Sequence, residues 1–156
     1  MSQLKIKEAL FEQCEFFVNR RSQTVHEIIS SNQKALQSET KSSAGDKHET
    51  VRAMLQLEME KASQQLEGIS LMNQILLKID LSTPKVFGQE VVHLGSIIRT
   101  DTTNYFLSIS AGQLLVEGEN YFAISVSSPI GKLLLGKKQN EEVVFNGSRI
   151  KINQIL

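Results

Sequence analysis

Apolar residues recur at three-to-four spacing from Leu4 to about Ser38, through Ile6, Leu10, Cys14, Phe17, Val25, Ile28 and Ala35, with neither proline nor glycine among them. That period predicts one long amphipathic helix. A second series, Val51, Leu55, Ala62, Ile69, Met72, Leu76 and Ile79, follows the polar stretch SSAGDKHET at 42–50, with Gly68 as its only weak point. Two such helices joined by a short polar turn predict an antiparallel coiled-coil hairpin over residues 1–80. At 1.5 Å per residue, about 30 residues make an arm roughly 45 to 50 Å long. A small domain does not need that length to cover its own core, so the pattern predicts that the arm projects.

After Leu81-Ser82-Thr83-Pro84 the period shortens and β-formers take over, at Val86-Phe87, Val91-Val92, Ile97-Ile98, Tyr105-Phe106-Leu107 and Tyr121-Phe122-Ala123-Ile124. Residues 81–156 therefore read as a second, mostly β domain, and the chain as α+β. Asp101 to Asn104 and Ala111-Gly112 read as connections. Asn146-Gly147, between EEVVF and SRIKINQI, is a two-residue hairpin signal because both residues tolerate positive φ. Only SSPIGKLLLGKK breaks the strands with helical character. There Ser128 can cap, Pro129 suits the first helical position and Gly136 can end the helix.

Composition narrows the function classes. The chain has 156 residues and is 40% hydrophobic, enough for a packed core. Lysine plus arginine equals aspartate plus glutamate at 17 each, so no net field points to nucleic acid or an anionic membrane, and any nucleic-acid role is expected to be indirect. A single cysteine, Cys14, rules out an internal disulfide. The opening MSQLKIKEAL has no apolar run resembling a signal peptide or membrane span, which predicts a cytoplasmic protein.

Several chemical signals fail on inspection. Gly131 to Lys138 approaches the phosphate-binding G-x4-G-K-[ST] pattern, but Lys138 replaces the magnesium-binding hydroxyl and three leucines fill the loop. His26, His48 and His93 lack metal-ligand spacing. Cys14 falls on the apolar stripe, as a buried seam residue does, and a nucleophile would need a basic partner. Asn146-Gly147-Ser148 matches a glycosylation acceptor that only a secreted chain would present to that machinery.

Asp46 and Glu49 admit two readings. As N-cap and N3 they form an acidic capping box, able to satisfy unpaired amide hydrogens at the start of the second helix. Three residues apart near a helix start, they can also turn to one side and flank a hard cation that prefers oxygen ligands. Two exposed carboxylates hold magnesium poorly alone. Inserted beside another protein's carboxylates and a phosphate, they could complete the coordination of a metal that activates water.

The order of a long helical hairpin, GDKHE at its turn, VFGQEVV opening the β domain and SPIGKLLLGKK near its end resembles the bacterial Gre transcript-cleavage factors, GreA and GreB. Ser128-Pro129 followed by Leu135-Gly136-Lys137, then Glu141-Glu142 and Val143-Val144, is similar to that family's SP-x5-LGK signature and closing strands. The resemblance implies a transcription elongation factor whose coiled coil enters the secondary channel of RNA polymerase, with an FKBP-like C-terminal domain docked at the channel rim. It further implies that Asp46 and Glu49 help hold a magnesium ion shared with the polymerase active site, where backtracked transcript is cleaved, and that Ser128 and Pro129 belong to the docking surface. Contact with DNA and RNA would then run through the polymerase. After the tip glutamate the family reads N-A-E-Y, whereas this chain reads Thr50-Val51-Arg52-Ala53, and Lys47 and His48 stand between the acids. The alternatives are a noncatalytic regulator occupying the same channel, or a peptidyl-prolyl isomerase suggested by the FKBP-like architecture.

Overall fold

The computed structural model describes residues 2–41, 46–82 and 90–156, and the side chains of these except 39–41 and 46–48. Two long helices come first, α1 over Gln3–Lys41 and α2 over Asp46–Lys78. At 1.5 Å per residue they run about 58 and 50 Å. Among the described residues no helix is long and apolar enough to cross a membrane. The chain divides into two compact units, residues 18–73 and residues 1–17 with 74–156.

In the helical unit the seam repeats every seven residues. Val18, Val25 and Asn32 are buried on α1, and Ala62 and Ile69 on α2, a coiled-coil period. The expected stripe is corrected at two positions. Ile28 is 40% exposed and Val51 41%, while polar Asn32 is buried at 8%. Where the described seam of each helix meets a single partner helix, the buried strip is narrow, and a wider 3.6-residue stripe overshoots it on one side.

The other unit is built on a six-stranded sheet: β1 Ile97–Thr100, β2 Asn104–Ser108, β3 Gly112–Val116, β4 Glu119–Ser125, β5 Glu142–Phe145 and β6 Ser148–Ile155. A short helix, α3 over Pro129–Leu134, lies between β4 and β5 in sequence. The spatial order is β3-β4-β2-β1-β6-β5. Among the described residues only β2 and β4 pair in parallel, so the sheet is mixed but mostly antiparallel. The α+β layout follows the sequence pattern.

Alternation sends residues of the sheet to two faces. On one, Ile98, Leu107, Val143, Ile150, Ile152 and Ile155 join Val92 and α3's Ile130 and Leu134 in one core. Ile152 and Ile155 can both reach it because the register with β1 shifts between Arg99 and Thr100, where a bulge resets the parity of β6. On the other face, Ser108 meets the first turns of α1, its Oγ 3.7 Å from Cys14 Sγ, and Gln13 Nε2 donates to the Leu115 carbonyl at 3.0 Å.

The turn at Asn146-Gly147 has the expected form, with φ of 51° and 80° and Phe145 paired to Ser148 across it. The same form recurs at Glu117-Gly118, with φ of 50° and 78°, closing β3 onto β4. Gly112, expected in a connection, instead opens β3, and neither that strand nor the Glu117-Gly118 turn is predicted, because a glycine hides the strand's start and glutamate is a poor signal for positive φ. Val91-Val92, expected as a strand, makes only an isolated bridge from Val91 to Lys138, extended by Val92 N–H donating to the Lys137 carbonyl at 2.9 Å. The expected strand at Val86-Phe87 lies outside the described residues.

Candidate functional site

The helix α2 begins at Asp46, which puts Asp46 and Glu49 in its first turn, three residues apart. A helix start presents unpaired N–H groups and the positive end of the backbone dipole, so carboxylates are favoured there by about 0.3 to 1 kcal/mol each. The Glu49 side chain is exposed. Ala53, one turn further on, is exposed as well. The side chains of Asp46, Lys47 and His48, and the whole of 42–45, lie outside the described residues, and so do the capping bonds and the paired carboxylate geometry expected there.

Ser128 and Pro129 belong to the sheet unit. Ser128 has φ −70° and ψ 155°, its Oγ accepts from the Gly131 N–H at 3.1 Å and donates to the Ser125 carbonyl at 2.7 Å. The hydroxyl is thereby committed to capping α3. Pro129 opens the helix and is exposed, as are Lys132, Leu135 and Lys138 beyond it in sequence. Gly136 ends the segment at φ 82°, where its N–H donates to the Val92 carbonyl. A Cβ on Gly131 would overlap the Ser125 carbonyl oxygen, and Leu134 is fully buried. Gly131 and Leu134 of this near-phosphate motif therefore serve close packing, and Gly136 serves a turn at positive φ.

The remaining candidates are quiet. Cys14 is buried, and burial pushes its thiol up to about 11 despite the Ser108 contact, the opposite of an activated nucleophile. His26 is exposed, with Nδ1 2.7 Å from the Ser22 carbonyl, and His93 Nδ1 lies 2.9 Å from Ser96 Oγ. Among the described residues no three histidine, cysteine or acidic side chains gather as a metal site.

Three groupings escape the sequence reading. Arg99 Nη1 meets Glu119 Oε2 at 2.8 Å, Arg99 Nη2 donates to Tyr121 Oη at 3.1 Å, and Tyr121 Oη donates to Glu119 Oε2 at 2.9 Å. Arg99's hydrogen bond and charge hold the Glu119 carboxyl below its usual range, and burial, then Glu119, raises the Tyr121 phenol. No spacing signal links 99, 119 and 121, since β1 and β4 are brought near each other by the strand order. Lys7 is fully buried, its Nζ without a hydrogen-bond partner among the described residues, and burial lowers its pKa against a smaller opposing pull from Asp80. Finally, an open groove of about 570 Å³ runs between the helices where Ile28, Asn32, Glu58, Lys61 and Ala62 line it.

No protein-family model matches the chain. No curated protein matches it significantly either.

Proposed function

We propose that the chain is a Gre-like factor of RNA polymerase, with the helical hairpin entering the secondary channel and Asp46 and Glu49 completing the coordination of a magnesium ion at the polymerase active centre. One observation carries this reading: an acidic pair occupies the first turn of a 33-residue helix that follows a 39-residue helix after a short connection. A capping role needs no helix of that length, whereas delivery of carboxylates to a distant centre does. The carboxylates act only with the partner's ligands, since two acids alone leave most of an octahedral magnesium shell to water. The sheet unit would dock at the channel rim, with exposed Pro129 beside it and Ser128 acting through its cap. An FKBP-like identity for this unit is part of the same proposal.

A noncatalytic channel regulator is the second reading, supported by exposed Ala53 where the family carries tyrosine and by Lys47 and His48 between the acids. Asp46→Asn with Glu49→Gln separates the two, because amide side chains retain capping ability and lose the charge that magnesium requires. The double variant is expected to fold and bind polymerase yet to stop stimulating cleavage in backtracked complexes. Wild-type protein that binds but gives no cleavage above polymerase alone would establish the regulator. Cleavage by the variant at the wild-type rate would remove the metal role, and failure of the wild type to bind the cognate polymerase would remove both readings.

A further inference from the structure

We propose that the β5–β6 turn is a site of spontaneous covalent modification, at which Asn146 cyclises onto the Gly147 backbone nitrogen and is converted to aspartate and isoaspartate. Of the chain's asparagines, Asn146 alone is followed by glycine. Both residues are exposed. Among the described residues nothing hydrogen-bonds the Asn146 side chain, and the Gly147 N–H stands outside the ladder that closes at Phe145 and Ser148. The nucleophile and the electrophile are thus both uncommitted and both wet. Gly147 also has no Cβ to crowd the approach.

The chemistry needs only water and mild base. The Gly147 amide nitrogen gives up its proton and attacks Asn146 Cγ; the N–Cγ bond forms, the Cγ–Nδ2 bond breaks, and Nδ2 leaves as ammonia with the proton. Water then adds to either carbonyl of the five-membered imide. One opening restores the chain as aspartate, and the other routes it through the former side chain as isoaspartate. No electrons change hands. Either product adds a carboxylate three residues before Arg149, whose Nη1 already lies 3.7 Å from Glu142 Oε2. Isoaspartate adds a backbone atom to a turn that holds its register with two residues at φ 51° and 80°. β5 is an edge strand of four residues whose buried anchor is Val143, so a lengthened turn loosens its pairing.

The test is incubation of the folded protein at mildly alkaline pH, followed by fragmentation mass spectrometry of the tryptic peptide 139–149. That peptide also contains Asn140, at φ 71° but followed by Glu141, as an internal control. The expected result is a gain of about 1 Da confined to Asn146, with isoaspartate the larger product and a lower melting temperature in the aged protein. Asn146→Gln should abolish the gain whether or not its turn is weakened, because glutamine would have to close a larger, slower ring. An unmodified Asn146 in protein under conditions that convert the isolated peptide would overturn the proposal, as would a gain located at Asn140.

Discussion

Lys7 shows how a single residue can run against the pattern that surrounds it. It sits among buried Leu10 and Cys14 on the face of α1 directed to its own unit, fully buried, with no acceptor for its ammonium among the described residues. Burial disfavours the charged form, so the folded protein holds this proton less tightly than the unfolded chain does. Unfolding then takes up a proton, and stability should rise with pH from the lowered pKa up to the ordinary lysine range. Lys7→Met keeps the length of the side chain and removes the charge. We expect it to stabilise the protein by about 1 to 2 kcal/mol in urea unfolding and to flatten that pH slope. A loss of stability would show instead that the ammonium is satisfied in solution. Nothing in the sequence marks Lys7 as buried, because a lysine in a helical stripe ordinarily snorkels to water. Cys14, by contrast, is legible as a buried residue from its spacing alone, whereas its contact with Ser108 of the sheet is not.

At the scale of elements, legibility follows how local the determining physics is. The cap and stop of α3 could be read from Ser128, Pro129 and Gly136 because each acts within one turn of itself. The Asn146-Gly147 turn is equally local. What stayed hidden depends on partners distant in sequence: β3, the insertion of β4 between β3 and β2, and the Arg99–Glu119–Tyr121 cluster. The acidic turn was legible as a pair, but spacing could not choose between cap and metal ligand, since both require the same residues at the same step. Two substitutions test α3. Ser128→Ala should cost about 1 kcal/mol by removing the cap, and Ser128→Asp should recover most of it. Gly131→Ala should cost about 1 to 3 kcal/mol, because the added methyl meets the Ser125 carbonyl, which is backbone and cannot turn aside. Equal stability of Gly131→Ala and the parent would mean that α3 shifts freely over the sheet.

For the molecule as a whole, the division into units is the informative feature. The sheet unit takes in residues 1–17 and 74–156, so the outer turns of both helices are part of it. Cys14 is a native probe of that packing. A thiol-specific reagent should leave it untouched in the native protein and label it at a rate set by the opening of α1's first turns from the sheet, with Ser108→Ala changing the rate little and Leu10→Ala raising it. Rapid labelling under native conditions would show that those turns open easily.

The contacts of Gln13 with Leu115 and of Cys14 with Ser108 span 102 and 94 positions of sequence. On the ribosome, α1 emerges long before either partner exists. Its first turns must leave Leu10 and Cys14 uncovered until most of the sheet has been synthesised, while the stretch from Val18 onward needs only α2. The helical hairpin can therefore close during translation, and the first turns of α1 are covered only after β2 and β3 have followed.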